Sequence, residues 1–332
     1  MPVYNGAKFV REAIESILAQ SFSDIELIVV DDCSSDETVD VVRAITDPRL
    51  RLIELSKNSG PSEAMNVAIR ATDSEYVARI DGDDLAYPER VSEQVRYLDS
   101  NPTVGIVSSF ARIIGHSPGV WELPSESSLL RATLTFYNPI CHSTVVIRRS
   151  AIAEFDEPYD PSRRHGEDYD VYLKVSHHHG IACIPKHLAA YRKHQSQVSG
   201  NKDYAMLGEL DPLFVRVLSW IGVEPSAEQL RLHRILAGWG GIDLADLVQI
   251  ESWLRLLNQA NRHAKVHPSW AFALASANRL YDACLRCDRM RPGFLVGLKS
   301  PLIRRHPNLS ARLALRAAGV LKTHCVGAGG QA

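Results

Sequence analysis

A parallel, doubly wound α/β sheet followed by a helical region is predicted from three observations. Amphipathic helical stretches alternate with short apolar strands through the amino-terminal third, the pattern of a sheet covered by helices on both faces. Two of those strands run into acids, Asp31-Asp32 and Asp81-Gly82-Asp83-Asp84, and ligands of such sheets bind beyond the carboxyl ends of the strands. After about Asn201 the texture changes to long helical stretches, such as Leu230 to Trp239, Leu244 to Leu257 and Ser269 to Leu285. The expected division is 1–105 and 106–200 as two halves of one domain, then 201–332 as the helical region.

Taken in order, Val10, Ala13, Ile14, Ile17 and Leu18 share one helical face, so a helix is expected from about Ala7 to Ala19, after a turn at Asn5-Gly6. Glu26 to Val30 is apolar on both faces, as a buried parallel strand should be. Ser34-Ser35-Asp36-Glu37 has the spacing of a capping box, and Val39, Val42 and Ile45 supply the stripe of the helix it would start. Leu50 to Leu55 reads as the next strand, Asn58 to Ser62 as a loop, and the stretch through Ala64, Val67 and Ala68 as a helix. Tyr76 to Ile80 is the strand that delivers the second acid cluster. Pro88 suits the first turn of a helix with apolar positions Val91, Val95 and Leu98, and Val104 to Val107 reads as a further strand. Between 110 and 200 the alternation loosens into short strands such as Ser143 to Ile147, loops, and one helix, Asp168 to His177.

The chain has 332 residues, 45% hydrophobic and 23% charged, enough for a substantial core. A formal net charge of -2 gives no global attraction for nucleic acid, and no nucleic-acid partner is expected. Six scattered cysteines fit a reducing compartment, hence the cytoplasm, with a peripheral contact at the inner membrane face left open. No apolar run approaches the ~20 residues that span a bilayer.

Three acids around one glycine repel one another, and hard cations such as Mg²⁺ or Mn²⁺ take oxygen ligands of this kind. A metal site and a plain acidic turn are both compatible with Asp81, Asp83 and Asp84 on their own. His177-His178-His179 reads as a solvated helix end, and Cys284 with Cys287 as two cysteines on one helix face. The basic and apolar stretch from Leu298 to Leu321 reads as a solvated helix face packing on the catalytic domain, with a membrane surface as the other reading. The final stretch, Gly327 to Ala332, reads as a frayed end.

Pro2-Val3-Tyr4-Asn5-Gly6, Val29-Val30-Asp31-Asp32, Asp81-Gly82-Asp83-Asp84, Gly166-Glu167-Asp168-Tyr169-Asp170 and Tyr191-Arg192-Lys193-His194 together resemble the family-two inverting glycosyltransferases of the GT-A fold, over roughly residues 2 to 200. The resemblance implies a Rossmann-like, mostly parallel sheet and a nucleotide-sugar donor, usually a UDP-sugar, bound by the 1–105 half. Tyr4 and Asp32 would hold the base and ribose, supported by Val3 and Asp31. Asp83 would ligate Mg²⁺ or Mn²⁺ at the diphosphate, with Asp81 facing the ribose or a metal-bound water and Gly82 between them. Arg192 and His194 would add positive charge or a ligand, and Asp168 would act as the base that takes the acceptor's proton, with Glu167 beside it. From the residues themselves, Asp170, on a different helix face from Asp168, reads as a dipole partner in preference to a second base, and His142, Ser143 and Thr144 read as lining the acceptor pocket.

By the same resemblance the reaction is transfer of a hexosyl group to a glycan or lipid-linked acceptor in cell-surface polysaccharide synthesis. Family members begin with a hydrophobic strand just before the Pro-Val-Tyr-Asn segment, so several residues upstream of Met1 are expected in the native protein. Met65 stands where many relatives carry a basic residue, which removes one expected donor contact. Two rivals are weighed: a non-catalytic nucleotide-sugar-binding module, and an aspartate-nucleophile phosphatase. Asp81-Gly82-Asp83-Asp84-Leu85 lacks the hydroxyl or β-branched residue the latter needs, and Arg79 sits awkwardly in its strand.

Overall fold

The structure, a computed structural model, describes residues 1–195, 205–288 and 290–317. It divides into two compact units, Met1–Ser127 with Ile140–Asn201, and Ser128–Pro139 with Lys202–Ala332.

The first unit begins with β1 (Pro2–Val3), α1 (Val10–Leu18), β2 (Leu27–Asp31), α2 (Thr38–Arg43), β3 (Leu50–Glu54) and α3 (Pro61–Arg70). β1, β2 and β3 form a three-stranded parallel sheet with β2 in the centre. The two-sided apolar pattern of β2 is explained by what covers it. Leu27 and Val29 pack with Val10, Ala13, Ile14 and Ile17 of α1, whereas Ile28 and Val30 pack with Ala64 of α3. Successive side chains of a strand point to opposite faces, so each helix takes alternate residues.

A second, mixed sheet follows from β4 (Tyr76–Ala78), β5 (Leu85–Ala86), α4 (Arg90–Ser100), β6 (Val104–Gly115), β7 (Gly119–Trp121), α5 (Ser127–Thr133), β8 (Val146–Arg148), α6 (Glu167–His178) and β9 (Gly180–Lys193). Its order is β4-β8-β6-β9-β5, with β7 on β6. Only β6 and β9 run parallel in it; the other pairs are antiparallel. The parallel pattern expected of most of the sheet therefore lies in the first three strands and the β6–β9 pair. β6 runs for 12 residues where four were expected, because its partner β9 continues alongside it for 14. Ser143 to Ile147 is not one strand: His142–Thr144 is a 3₁₀ turn and only Val146–Arg148 pairs.

Helix α4 supplies the polar bolts that fix this sheet. Arg90 is fully buried, and its guanidinium donates to the carbonyls of Arg79 at 2.6 Å and Val145 at 3.2 Å. Gln94, one turn on, donates to the carbonyls of Thr144 at 2.6 Å and Val107 at 3.1 Å. Burial pushes the Arg90 guanidinium down to about 10, still charged at neutral pH. Backbone carbonyls thus solvate a cation that water cannot reach.

The second unit contains α7 (Ala205–Trp220), α8 (Ala227–Leu236), α9 (Leu244–Ala264), α10 (Ser269–Arg286), α11 (Met290–Lys299), α12 (Pro301–Arg304) and α13 (Pro307–Ala317). Its core joins these helices to Ala132 and Phe136, so the segment 128–139 is packed among helices far along the chain. Buried His233 and His267 hold it there through Thr135, at its carbonyl (2.9 Å) and hydroxyl (3.2 Å). Gly327 to Ala332 lies outside the described residues.

Within the first unit, Asn66 of α3 is buried and clamps the two peptide groups on either side of Tyr159 in the later loop. Its amide donates to the Tyr159 carbonyl at 2.6 Å and its carbonyl accepts from the Tyr159 N–H at 3.1 Å. Asn66→Ala should leave both peptide groups buried and unpaired, lowering stability by roughly 2–4 kcal/mol; urea unfolding of the variant beside the wild type measures the loss.

Candidate active site

The loops after β1 and β2 are laced together. Asn5 adopts a left-handed backbone, φ 49°, a conformation asparagine tolerates. Its N–H donates to the Ser34 hydroxyl at 2.9 Å, and its side-chain carbonyl accepts from the Ser35 N–H at 2.8 Å. The Gly6 N–H donates to the Thr38 hydroxyl and the Ala7 N–H to an Asp36 carboxylate oxygen. These contacts replace the expected capping box. Ser34 serves Asn5, Asp36 serves Thr38 and Ala7, and α2 starts at Thr38 with no side-chain cap from Glu37. Tyr4 stands beside this lacing, 53% exposed.

Val3 is buried, and its carbonyl accepts from the Asp32 N–H at 2.9 Å. Asp32 spends both carboxylate oxygens on backbone, accepting from the Ser59 N–H at 2.7 Å and the Gly60 N–H at 2.8 Å. It therefore ties β2 to the loop that starts α3. Asp31 accepts from the Ser34 N–H at 2.9 Å through one oxygen, and its other oxygen is buried without a hydrogen-bond partner. Of the pair, Asp31 keeps the unspent acceptor. Met65 is buried.

Asp81, Asp83 and Asp84 present carboxylate oxygens within 4.8 Å of one another. Gly82 is required at the bend between them: a Cβ there would lie 2.7 Å from Val3 Cγ1. Arg79, which looked misplaced in an apolar strand, is buried and ion-paired with Asp81. It also donates to the Ser143 hydroxyl at 3.2 Å, and that hydroxyl donates to Asp81 at 3.0 Å. Residues two apart on an extended chain face the same side, which brings Arg79 back onto Asp81.

Arg192, at the end of β9, makes three contacts from one residue. Its backbone N–H donates to Asp84 at 2.7 Å, its Nε–H to the Asp83 carbonyl at 2.8 Å, and its guanidinium meets Glu12 at 2.7 Å. His194 Nε2 lies 2.8 Å from Asp83 Oδ2, and both the histidine ring and the arginine head lie on Phe9. Burial, then the charge of Asp81, raises the Asp83 carboxyl, with His194 opposing. Asp84 is fully buried and raised further by burial and by both neighbouring acids.

Glu167 and Asp168 open α6 from Gly166, whose φ of 74° is the left-handed conformation that releases the chain into the helix. Burial, then the charge of Asp168, pushes Glu167 up to about 7; Arg79 pulls it down and Asp81 pushes it further up. Those last two influences put the acids of α6 within electrostatic reach of the acid cluster. Tyr159 feels Arg79, Asp168, Glu167 and Asp81 together, and its hydroxyl meets His142 Nε2 at 3.0 Å. Ser143 is part of the Asp81 network, and Thr144 is buried beneath it, with its hydroxyl on the Cys141 carbonyl at 2.7 Å. Asp170 lies in the first turn of α6, where the helix dipole favours an acid, and is buried and ion-paired with Lys174 at 2.8 Å and Arg163 at 3.9 Å. His177 and His178 are exposed at the end of α6. Cys284 and Cys287 are buried, the first within α10 and the second just past its end.

The acid cluster fits a hard divalent cation. Its donors are oxygens, Asp84 carries a buried carboxylate oxygen with no hydrogen-bond partner, and repulsion among the three carboxyls is what such an ion relieves. Among the described residues this is the single group of three or more acids, histidines or cysteines arranged to hold one.

A family model described as glycosyl transferase family 2 matches residues 1–155. Over these residues, just under half of its length, the chain is similar to glycosyl transferase family 2. The fold is the GT-A arrangement, shared with the structure of Staphylococcus aureus TarS 1-349 in complex with UDP-GlcNAc (TM-score 0.52, 17% identity, 97% of this chain and 91% of that chain). The chain is similar to the UDP-Glc:alpha-D-GlcNAc-diphosphoundecaprenol beta-1,3-glucosyltransferase WfaP of Escherichia coli, 29% identical over 239 residues, 70% of this chain and 87% of the relative. It is also similar to the succinoglycan biosynthesis protein ExoO of Rhizobium meliloti, 31% identical over 204 residues, 58% of each. Like ExoO, several of the curated relatives are matched over less than two thirds of their own length.

Sequence reading missed Arg79, Tyr159 and the clamp on Asp32. A charge inside an apolar strand, two residues before an acid, was the available signal for Arg79. Arg79→Met should leave Asp81 without its partner and lower stability by about 1–3 kcal/mol, less than for a fully dry pair because the Asp81 side chain is 34% exposed; the shift in denaturation midpoint, read against wild type, checks it.

Proposed function

We propose that this protein is a metal-dependent, inverting glycosyltransferase that moves a hexosyl group from a nucleotide sugar, a UDP-sugar, to a glycan or lipid-linked acceptor in cell-surface polysaccharide synthesis. One observation carries the reading: the acid cluster of Asp81, Asp83 and Asp84 and the acid pair of Glu167 and Asp168 share one electrostatic neighbourhood, with buried Arg79 among them. The names of WfaP and ExoO support the donor class and the polysaccharide setting, and the UDP-GlcNAc complex of TarS supports a nucleotide-sugar ligand.

Each residue then has a physical task. Tyr4 offers an exposed ring for a flat base, and Asp31 an unspent acceptor for a base N–H, with Val3 and Asp32 holding that rim in place. Asp83 and Asp81, with His194 next to Asp83, would hold Mg²⁺ or Mn²⁺, which supplies Lewis-acid stabilisation to a departing diphosphate. Gly82 keeps the backbone between them close to Val3. Arg192 fixes the acid loop through the Asp83 carbonyl and Asp84. Arg79, itself buried, holds Asp81 in one orientation through their ion pair.

The acceptor hydroxyl is a weak nucleophile, and the Asp168 carboxylate takes its proton as it attacks the anomeric carbon. A single displacement from that side inverts the anomeric centre. Glu167, protonated up to about pH 7, donates a hydrogen bond near the acceptor and adds no charge against Asp168.

Asp83→Ala is expected to abolish metal-dependent donor turnover. Asp168→Asn should retain donor binding in a thermal-shift titration yet lose transfer by ~100-fold or more. Full activity in either variant would reject the assignment.

The sign for Glu167 follows from its raised carboxyl. The folded protein binds a proton that the unfolded chain releases near 4.5, so this stabilisation is complete below 4.5 and is lost as pH rises through about 7. Glu167→Gln cannot ionise, so its stability relative to wild type should improve between pH 5 and pH 8 by roughly 1–3 kcal/mol. Unfolding curves of both proteins at the two pH values test this.

A further inference from the structure

The carboxyl-terminal helices carry a charge pattern that the transfer chemistry does not use. Between Arg289 and Ala332 the sequence holds eight Lys and Arg and no Asp or Glu, although the whole chain has a formal net charge of -2. At the chain's average composition a stretch of this length would contain about five acids. Cations have been gathered here and acids kept out.

Packing sorts these helices into two sides. Phe294, Leu302, Ile303, Leu309 and Leu313 are buried in the core of the second unit together with Cys284 and Leu285 of α10. The apolar side of α11–α13 thus packs on α10 in its own unit. Of the basic stretch singled out in the sequence, residues 318–321 lie outside the described residues. On the other side Lys299, Arg304, Arg305 and Arg312 are exposed, and none of them forms an ion pair among the described residues.

Two leucines accompany the cations into solvent, Leu295 at 55% and Leu315 at 43% exposure. Leu295 lies one turn from Lys299 on α11, and Leu315 one turn from Arg312 on α13, so each helix shows a leucine and a cation on one face. Water does not reward that combination. A lipid headgroup layer does, because phosphates take the cations and the acyl boundary takes the leucines. A nucleic acid would reward only the cations.

We propose that the outward side of α11–α13 docks on an anionic phospholipid bilayer. The contact is peripheral, since no helix among the described residues is long and apolar enough to cross a membrane. It stands independently of the transfer reaction proposed above, and it would keep the protein at the surface where a lipid-linked acceptor is found.

The full chain is spun down with sucrose-loaded vesicles of phosphatidylglycerol and phosphatidylcholine, and separately with phosphatidylcholine alone. Sedimentation with the anionic vesicles only, weakening as salt is raised, is the expected result. Arg304→Ala, Arg305→Ala and Arg312→Ala combined should weaken binding roughly 100-fold, from about five-fold per residue. Leu295→Ser with Leu315→Ser should weaken it roughly ten-fold and leave its salt dependence in place.

Neither variant touches the acid cluster, so both should hydrolyse a UDP-sugar in solution at the wild-type rate. That readout also reports correct folding, and a wild type that turns over no donor counts against the proposed reaction and not against the docking surface. Absence of wild-type binding to anionic vesicles, equal binding to neutral ones, or wild-type binding by both variants would overturn the proposal. Displacement of the vesicles by an equal charge of duplex DNA, with the leucine variant binding that DNA as well as wild type does, would identify nucleic acid and overturn it too.

Discussion

Repulsion among carboxylates at one rim is the constraint to which the first unit answers. Asp81, Asp83 and Asp84 crowd within 4.8 Å, and Asp168, joined by Glu167 above about pH 7, adds to the same field. Unopposed, that density of charge would push the acid loop and the start of α6 apart. The fold answers with cations and donors drawn from separate elements: Arg79 before the acid loop, Ser143 from the 3₁₀ turn, and Arg192 and His194 from the end of β9. Placing the acids therefore also places β4, the turn and β9. Site geometry and strand arrangement are one electrostatic problem here.

A second layer of polar contacts keeps the first from relaxing. Arg79 pairs with Asp81 through its side chain, while its carbonyl receives the buried guanidinium of Arg90 and its N–H donates to Val145. Gln94 fixes Thr144, the residue after Ser143. Arg79 and the turn that carries Ser143 are thus held from behind by α4. A buried arginine is costly when its donors go unpaired, and with Nη1 already lacking a partner Arg90 relies on the contacts of Nε and Nη2.

What could be read from sequence was whatever depends on neighbours in the chain. Alternating faces of β2, the helical stripe of α1 and the acids beyond β2 and β4 all follow local periodicity, and all appear where expected. The capping box failed because a local motif was outbid by partners some thirty residues away: Asn5 and Ala7 claim Ser34 and Asp36. β6 was read short because its length is set by β9, which begins far along the chain. Segment 128–139 gave no hint that it belongs among the late helices, since its anchors are His233 and His267 acting on Thr135. Arg79 was visible only as an anomaly, and anomalies of charge in apolar strands mark places where tertiary structure has overridden local pattern.

Charge balance explains why the site needs both its acids and its restraint. Arg79 and Arg192 each meet a carboxylate directly, and His194 meets a third, yet one oxygen of buried Asp84 stays without a hydrogen-bond partner. Protonation of Glu167 up to about pH 7 removes one further negative charge from the neighbourhood. Repulsion still remains within the cluster, because Asp81 raises the Asp83 carboxyl and both raise Asp84. Such a rim by itself repels a diphosphate and attracts a divalent cation. A cation bound there would reverse the sign of the rim, which is the part that the proposed function gives to Mg²⁺ or Mn²⁺.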